Sequence, residues 1–299
     1  MKILVVGSIA LDTVETPAET VSDSPGGSAL YFSGAAGLFA PVNIVGVVGE
    51  DFNFDHFSVF VGKDINTDGV YTESGKTFRW GGRYYEDPNR RDTLFTHLNV
   101  FENFKPVIPE NYRNSDLIFL ANIDPELQLQ VLEQIKNPKL VILDTMNYWI
   151  SGKRSVLEQV ISKTDVLILN DEETKQLVDD PNLFRAANRI LELGPKSLII
   201  KKGEHGAVLM DKDGLFLTPA FPLERVKDPT GAGDSFAGGF VGYLATNGKI
   251  TPEKMRQAVV YGTILASFTV EDFSFNRLIQ IERRDVEDRI AKFRQLTAY

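Results

Sequence analysis

Six short apolar runs punctuate the chain: ILVVG (3–7), NIVGVVG (43–49), DLIFLANI (116–123), KLVILDT (139–145), DVLILN (165–170) and SLIIKKG (197–203). Each is continuous rather than alternating, which predicts strands buried on both faces, as in a parallel sheet covered by helices. Amphipathic stretches between them predict helices over 27–40, 52–62, 125–136, 153–163, 171–178 and 183–193. Strand and helix in alternation predict an α/β fold with three α/β/α layers and right-handed crossovers. Ligands of such sheets sit at the carboxyl ends of the strands. From residue 231 the pattern is helical to the end, apart from a loop near 269–277.

Two stretches break this rhythm. Residues 12–25 (DTVETPAETVSDSP) are polar and turn-rich, and 71–101 holds KTFRWGGRYYED and TLFTHLNVF on either side of a turn, which predicts two antiparallel strands. Together they are expected to form a small β-sheet lid inserted in one domain spanning 1–299. A plain surface hairpin is the other reading. The aromatic residues Phe78, Trp80, Tyr84, Tyr85, Phe95 and Phe101 favour a lid, because they call for something to cover. Pairing of two copies through these strands would bury an edge and predicts a homodimer.

Composition narrows the function classes. The formal charge is −9, from 41 acids against 32 bases, which argues against a nucleic-acid partner. The chain has no cysteine, which excludes thiolate metal sites, and its three histidines (His56, His97, His205) lie far apart in sequence. No apolar run approaches the ~20 residues of a membrane span. The opening MKILVVGSIALD reads as a first buried strand rather than a leader, so the expected location is the cytoplasm.

The most informative stretch is DPTGAGDSFAGGF, residues 228–240. Asp228 and Pro229 favour a turn, and Thr230 is a plausible N-cap. Gly231, Ala232 and Gly233 let backbone N–H groups approach a ligand at the positive end of the helix that follows. Such a place suits phosphate. Asp234 would repel phosphate, and it makes sense as a general base taking a proton from a hydroxyl while the N–H groups hold the transferred phosphoryl. An N-terminal helix cap is the alternative. The dinucleotide pattern G-x-G-x-x-G fails at Phe236, and no G-x-x-x-x-G-K-[ST] occurs, which disfavours a hydride-transfer enzyme and a Walker-type P-loop.

Over all 13 positions this stretch resembles the C-terminal signature of the PfkB (ribokinase-like) carbohydrate and nucleoside kinases. Five further segments resemble that family in the same order: GSIALD with Asp12, PGGSA with Gly26 and Gly27, VGEDF, LNDEE with Asn170 and Glu173, and KKGEHGA with Gly203 and Gly206. The resemblance implies a ribokinase-like sandwich with a β-sheet lid, ATP as co-substrate and Mg²⁺ as cofactor. It implies that Asp12, Gly26, Gly27, Tyr31 and Asp234 hold the acceptor, and that Asn170, Lys202, Gly203, Gly206, Gly233 and Tyr261 meet the nucleotide. Asn170 and Glu173 would organise Mg²⁺ through water, and Asp228 and Thr230 would serve a monovalent cation, K⁺. Each piece also has a plainer reading: Asp12 as a loop cap, the glycine pair as a loop end, the acids after Asn170 as dipole compensation, Lys201 and Lys202 as solvated charge.

The sequence departs from the family where the acceptor is chosen. Tyr31 stands at the place of an asparagine, and LDTMNYW offers Asp144 and Asn147 without the spacing or the arginine of the sugar-kinase pattern. Ser274 replaces a common glycine. The expected activity is therefore phosphorylation of a hydroxyl, a CH₂OH above all, on a sugar, polyol or nucleoside. A non-catalytic sensor on the same fold is the alternative, and it would not need Asp234, Asn170 and Glu173 together.

Overall fold

The computed structural model describes residues 1–60, 62–246 and 248–298. Positions 61 and 247, which fall in the predicted helices over 52–62 and beyond 231, lie outside the described residues, as does position 299. Thirteen strands occur among the described residues: β1 Ile3–Val6, β2 Ala10–Glu15, β3 Thr20–Gly26, β4 Val42–Gly49, β5 Ile65–Glu73, β6 Phe78–Tyr84, β7 Arg91–His97, β8 Leu117–Leu120, β9 Leu140–Asp144, β10 Val166–Asn170, β11 Ser197–Lys201, β12 Ala207–Asp211 and β13 Gly214–Thr218. The helices are α1 Ser28–Ala36, α2 Pro125–Gln134, α3 Asn147–Gly152, α4 Arg154–Ile161, α5 Asp171–Leu177, α6 Leu183–Leu191, α7 Ala232–Ala245, α8 Pro252–Thr269, α9 Asn276–Gln280 and α10 Arg283–Thr297.

Nine strands form the central sheet in the order β13-β12-β11-β10-β9-β8-β1-β4-β5. All neighbours from β11 through β5 run parallel, and β12 and β13 close one edge antiparallel. Continuous apolar runs are what this sheet requires, because successive residues point to opposite buried faces. In β1, Ile3 and Val5 join one core while Leu4 and Val6 join the other. The first core packs beneath α1, α7, α8 and α10, and the second beneath α2, α4, α5 and α6.

A separate four-stranded sheet has the order β3-β2-β6-β7. Residues expected to be a polar, turn-rich segment thus form two antiparallel strands, β2 and β3. Their sequence hides this because one face of the pair is solvated and β3 carries Asp23, Ser24 and Pro25. The lid expected over 71–101 begins later: residues up to Glu73 belong to β5 of the central sheet, and only β6 and β7 join the small sheet. The helix predicted over 52–62 is instead a 3₁₀ segment, Phe54–Phe60, in which Phe52, Phe54, Phe57 and Phe60 pack ring against ring. Strands β5, β12 and β13 gave no clear apolar run.

Helix α7 carries the DPTGAGDSFAGGF stretch into the protein, and its position depends on how closely α1 can approach. A Cβ at Gly238 would strike the Phe32 carbonyl oxygen, and one at Gly242 would lie 2.9 Å from the Ala36 Cα. Two backbones meet here with no side chain between them. Gly242→Val is expected to destabilise the fold by ~1–3 kcal/mol through overpacking. Urea unfolding followed by circular dichroism measures it, and an unchanged midpoint would contradict this account of the α1–α7 contact.

Candidate active site

The sheet delivers three functional side chains from the last residues of adjacent strands. Asp144 ends β9, Asn170 ends β10 and Lys201 ends β11, with Asn170 opposite Lys201 in the parallel register. Facing them is the N-terminus of α7, whose cap is Gly231 in a left-handed conformation (φ 74°). Tyr31 of α1 explains the glycine as much as the dihedral does, since its ring lies where a Cβ on residue 231 would be. Any side chain there would meet both backbone strain and the buried ring. The N–H groups of Ala232, Gly233 and Asp234 are first-turn donors that lack intrahelical acceptors by helix geometry, and that of Ala232 donates to the Pro229 carbonyl at 3.2 Å. The Asp234 carboxylate sits in the first turn of the same helix.

Lys201, read from sequence as solvated charge, is the residue whose role the sequence concealed. Its ammonium stands 3.4 Å from both carboxylate oxygens of Asp144, and a Cβ on Gly233 would lie 3.0 Å from it. Burial opposes its charge, but Asp144, Glu173 and Asp234 outweigh burial and hold its pKa above the ordinary value. The signal available in the sequence was position: a lysine as the last residue of a central strand points to the ligand-binding end of the sheet. Its neighbour Lys202 follows the strand, is half-buried and opens the Gly203–His205 turn. Gly203 and Gly206 both have positive φ, and the Lys202 N–H donates to the Gly206 carbonyl, closing the loop.

The acceptor side is built around Asp12, which lies on β2 beneath the lid. Its carboxylate occupies the space that a Cβ on Gly26 would take. The Gly27 N–H partly offsets its charge, but burial first and the Asp228 charge second push its pKa up to about 8. Gly27 itself has φ 91° and its backbone packs against the Ser8 carbonyl. Asp12 pairs across the lid with Trp80 in parallel register, so Trp80, Tyr84 and Val14 share a face with it. Val14, Tyr84 and Phe273 form a buried apolar patch with Val21 and Trp80 packed against it.

Asp234 is half-buried, and its pKa is pushed up to about 7 by desolvation and the Asp144 charge, with Lys201 pulling the other way. A carboxyl poised there can take a proton at neutral pH. Asn170 and Glu173 are tied together in a capping box: the Glu173 N–H donates to Asn170 Oδ1 at 2.7 Å, and the Asn170 N–H donates to Glu173 Oε2 at 2.8 Å. The plainer reading of this pair is therefore met. Burial nonetheless raises Glu173 to about 7 against the pull of Lys201, so a carboxyl that prefers a nearby cation remains beside Asp144. Asp228 is fully buried, with its oxygens accepting N–H groups from Thr230 (2.8 Å) and Ser274 (3.3 Å).

Tyr261 is not brought to this cluster. Its ring stacks on Tyr243 at 3.9 Å, its hydroxyl donates to Glu287, and it meets the edge of Phe39. Tyr243 lies nine residues past Asp234 on α7, or ~14 Å along the helix axis at 1.5 Å per residue. Among the other expected residues, Glu173, Gly233 and Asp234 stand around Lys201, and the charges of Asp228 and Asp234 reach Asp12.

The pfkB family carbohydrate kinase profile matches residues 1–280. The chain belongs to the PfkB family. It is similar to the cytidine kinase of Thermococcus kodakarensis, with 29% identity over 81% of this chain and 87% of that protein. It is also similar to the nucleoside kinase of Methanocaldococcus jannaschii, with 25% identity over 90% of each. The crystal structure of that nucleoside kinase superposes with a TM-score of 0.79 at 25% identity, covering 97% of this chain and 98% of that one. Thermotoga maritima ribokinase gives a TM-score of 0.75 at 25% identity, covering 97% and 99%. This PfkB-family chain has the ribokinase-like fold and is a sugar or nucleoside kinase.

The raised carboxyls fix how stability depends on pH. For Asp12 and Asp234 the folded-state pKa (about 8 and about 7) lies above the ordinary carboxylate value. Between those values the folded chain binds more protons than the unfolded one, so their contribution is full in acid and is lost as pH rises through 7 and 8. The melting temperature without added ligands is expected to fall between pH 5 and pH 8.5, and Asp234→Asn should flatten that fall and raise it at the alkaline end. Scanning calorimetry of both proteins across this range decides the matter; identical pH profiles would remove Asp234 from the set of perturbed groups.

Proposed function

We propose that the chain transfers the terminal phosphoryl group of ATP to a CH₂OH hydroxyl, with a nucleoside as the favoured acceptor and free sugars or polyols as the neighbouring class. The observation that carries this reading is the half-buried Asp234 carboxyl in the first turn of α7, close enough to Lys201 for each charge to act on the other. In the proposed reaction the acceptor oxygen bonds to the terminal phosphorus as its proton passes to Asp234. The bond from that phosphorus to the bridging oxygen breaks, and ADP leaves. The backbone N–H groups at 232–234 meet the charge spreading over the transferred group, with little reorganisation because the helix already holds them.

Lys201 supplies the compensating positive charge, and Asp144 fixes where its ammonium stands. Asp12 orients the acceptor through its hydroxyls, since a carboxyl can engage two of them. Gly26 leaves room for the Asp12 carboxylate itself, Gly27 lets the chain pass close to the Ser8 carbonyl, and Tyr31 packs against Gly231. The apolar patch of Val14, Trp80, Tyr84 and Phe273 supports a flat base rather than a bare sugar, because an aromatic surface stacks on a π-face. Gly203, Gly206 and Lys202 would line the donor's phosphates, whereas the packing of Tyr261 gives no support to its role at the nucleotide.

The donor set fits Mg²⁺. Asp144 and Glu173 are hard oxygen ligands beside the anion site, and no group of three or more acidic, histidine or cysteine side chains among the described residues could cage an ion. That suits a metal held through water and by the nucleotide, with Asn170 and Glu173 as its partners on the protein. When bound, Mg²⁺ would neutralise charge on the nucleotide's phosphates. Asp228, buried and in no ion pair among the described residues, fits K⁺ in the same way, with Thr230 beside it.

An ATP-consumption screen with Mg²⁺ across nucleosides, pentoses, hexoses and inositols tests the reading. At least one nucleoside is expected to turn over, and Asp234→Asn should lower kcat by ~10²–10⁴-fold while ATP binding persists. Nucleotide binding without turnover on the whole panel would favour a sensor. We also carry pairing of two copies through the exposed edge of β7, which holds Leu94, into the proposal. Light scattering giving one chain's mass at working concentrations would remove it.

A further inference from the structure

The cleft holds an imbalance of charge. Asp12, Asp144, Glu173, Asp228 and Asp234 converge on it, and Lys201 is the cation the central sheet supplies. A nucleotide phosphate adds further negative charge to the same place. Backbone N–H groups and one ammonium leave room for another cation, and the lid offers one.

Arg91 opens β7 opposite Tyr84 on β6. Its guanidinium lies over the Trp80 ring at 5.1 Å, across the strand pair from Tyr84 and its hydroxyl. That hydroxyl in turn accepts a hydrogen bond from Thr230 Oγ1 at 3.2 Å, one residue before Gly231. Arg91 thus stands across one side chain from the anion-binding turn. It is also near enough for its charge to pull the Glu173 carboxyl down. The lid turn points the same way: Asn89 Oδ1 lies 2.9 Å from where a Cβ on Gly203 would stand, so the hairpin tip rests on the loop expected to line the donor phosphates.

Two of the other lid arginines are held in ion pairs, and the third, Arg90, rests over a ring as Arg91 does. Arg79 bonds Asp23 and Asp51, Arg83 bonds Glu15, and Arg90 lies over Tyr85. Among the described residues Arg91 is in no ion pair, and its guanidinium rests over the Trp80 ring. A guanidinium held by ring faces keeps its N–H donors available, and their planar fork matches phosphate.

We propose that Arg91 is a catalytic residue delivered by the lid, binding the phosphate oxygens of the donor's transferring group opposite the α7 N-terminus. The inference rests on the phosphoryl-transfer reading above. It makes lid closure an electrostatic event as well as exclusion of water: the closed hairpin brings the second cation, and its departure lets ADP go.

Arg91→Ala and Arg91→Lys are compared with Arg83→Ala, which removes a lid arginine paired outside the cleft. Arg91→Ala is expected to lower kcat by ~10²-fold, the scale of one lost charge-stabilising donor. Arg91→Lys should recover part of that loss, and added guanidinium ion should partly rescue Arg91→Ala without affecting Arg83→Ala. By calorimetry, Arg91→Ala should weaken binding of a non-hydrolysable ATP analogue about tenfold while leaving adenosine and the acceptor unchanged. Turnover within twofold of the parent and an unchanged analogue affinity would overturn the proposal. So would a loss that guanidinium does not rescue and that Arg91→Lys shares in full, since that pattern marks a packing role. If the parent enzyme turns over no acceptor, the kinase reading fails instead, and the analogue-against-adenosine comparison still decides whether Arg91 contacts phosphate.

Discussion

The cleft is organised by the cost of burying like charges together. Burial raises the proton affinity of five carboxyls here, and neighbouring carboxylates raise Asp12, Glu173 and Asp234 further, where a phosphorylated ligand must also bind. Burying an ionised carboxylate without a partner is expensive, so each must be protonated, paired or hydrogen-bonded. The fold uses all three means. Asp144 takes Lys201, Asp228 takes two backbone N–H groups, and Asp12 and Asp234 are pushed toward the neutral form. A base that is half-neutral at physiological pH is also the base best suited to accept a proton there, so burial tunes the chemistry.

Precision in this cluster comes from backbone rather than from side chains. Asp144, Asn170 and Lys201 end neighbouring strands whose registers are locked by ladder hydrogen bonds. Helix α7 is set by its close approach to α1, and α1 carries Tyr31, whose ring then falls over Gly231. The helix contact and the anion-binding turn are therefore one geometric problem. The same side chain that departs from the family's pattern at the acceptor also braces the turn that would hold the phosphoryl group, so a change of acceptor specificity at position 31 cannot be made without disturbing the catalytic end.

Legibility in the sequence followed the physics of each element. Strands buried on both faces were read directly, because continuous apolar runs such as LVVG and LILN suit a strand covered on two sides and little else. The lid strands β2 and β3 were not, since a half-solvated strand carrying Asp23 and Pro25 looks like a loop until its partners are known. Asp234, Asp12 and the glycines stood out in the sequence because local motifs announce them. Lys201 and Arg91 did not stand out for a common reason: the roles proposed for them come from tertiary position, one at the end of a central strand and the other beside a tyrosine on a neighbouring strand. Tyr261, expected at the nucleotide, has its ring and hydroxyl engaged in packing α8 against α7 and α10.

The division between sheet and lid gives these charges a working sequence. The central sheet and α7 hold the acids and Lys201 in place whether or not the lid is closed, because they belong to the cores on either side of the sheet. The lid sheet contributes Asp12 from β2 and Arg91 from β7, and Arg79 ties it to the sheet side through Asp51 while also holding Asp23 on β3. Opening the lid would therefore move one acid and one base together. In the open state the nucleotide would meet the N–H groups and Lys201 alone; in the closed state the acceptor carboxyl, the guanidinium and the apolar face arrive at once. An acceptor that stacks on that face would stabilise the closed arrangement, and one without a flat apolar part would do so weakly. Selection among acceptors thus follows from the same closure that completes the charge balance around the transferred group.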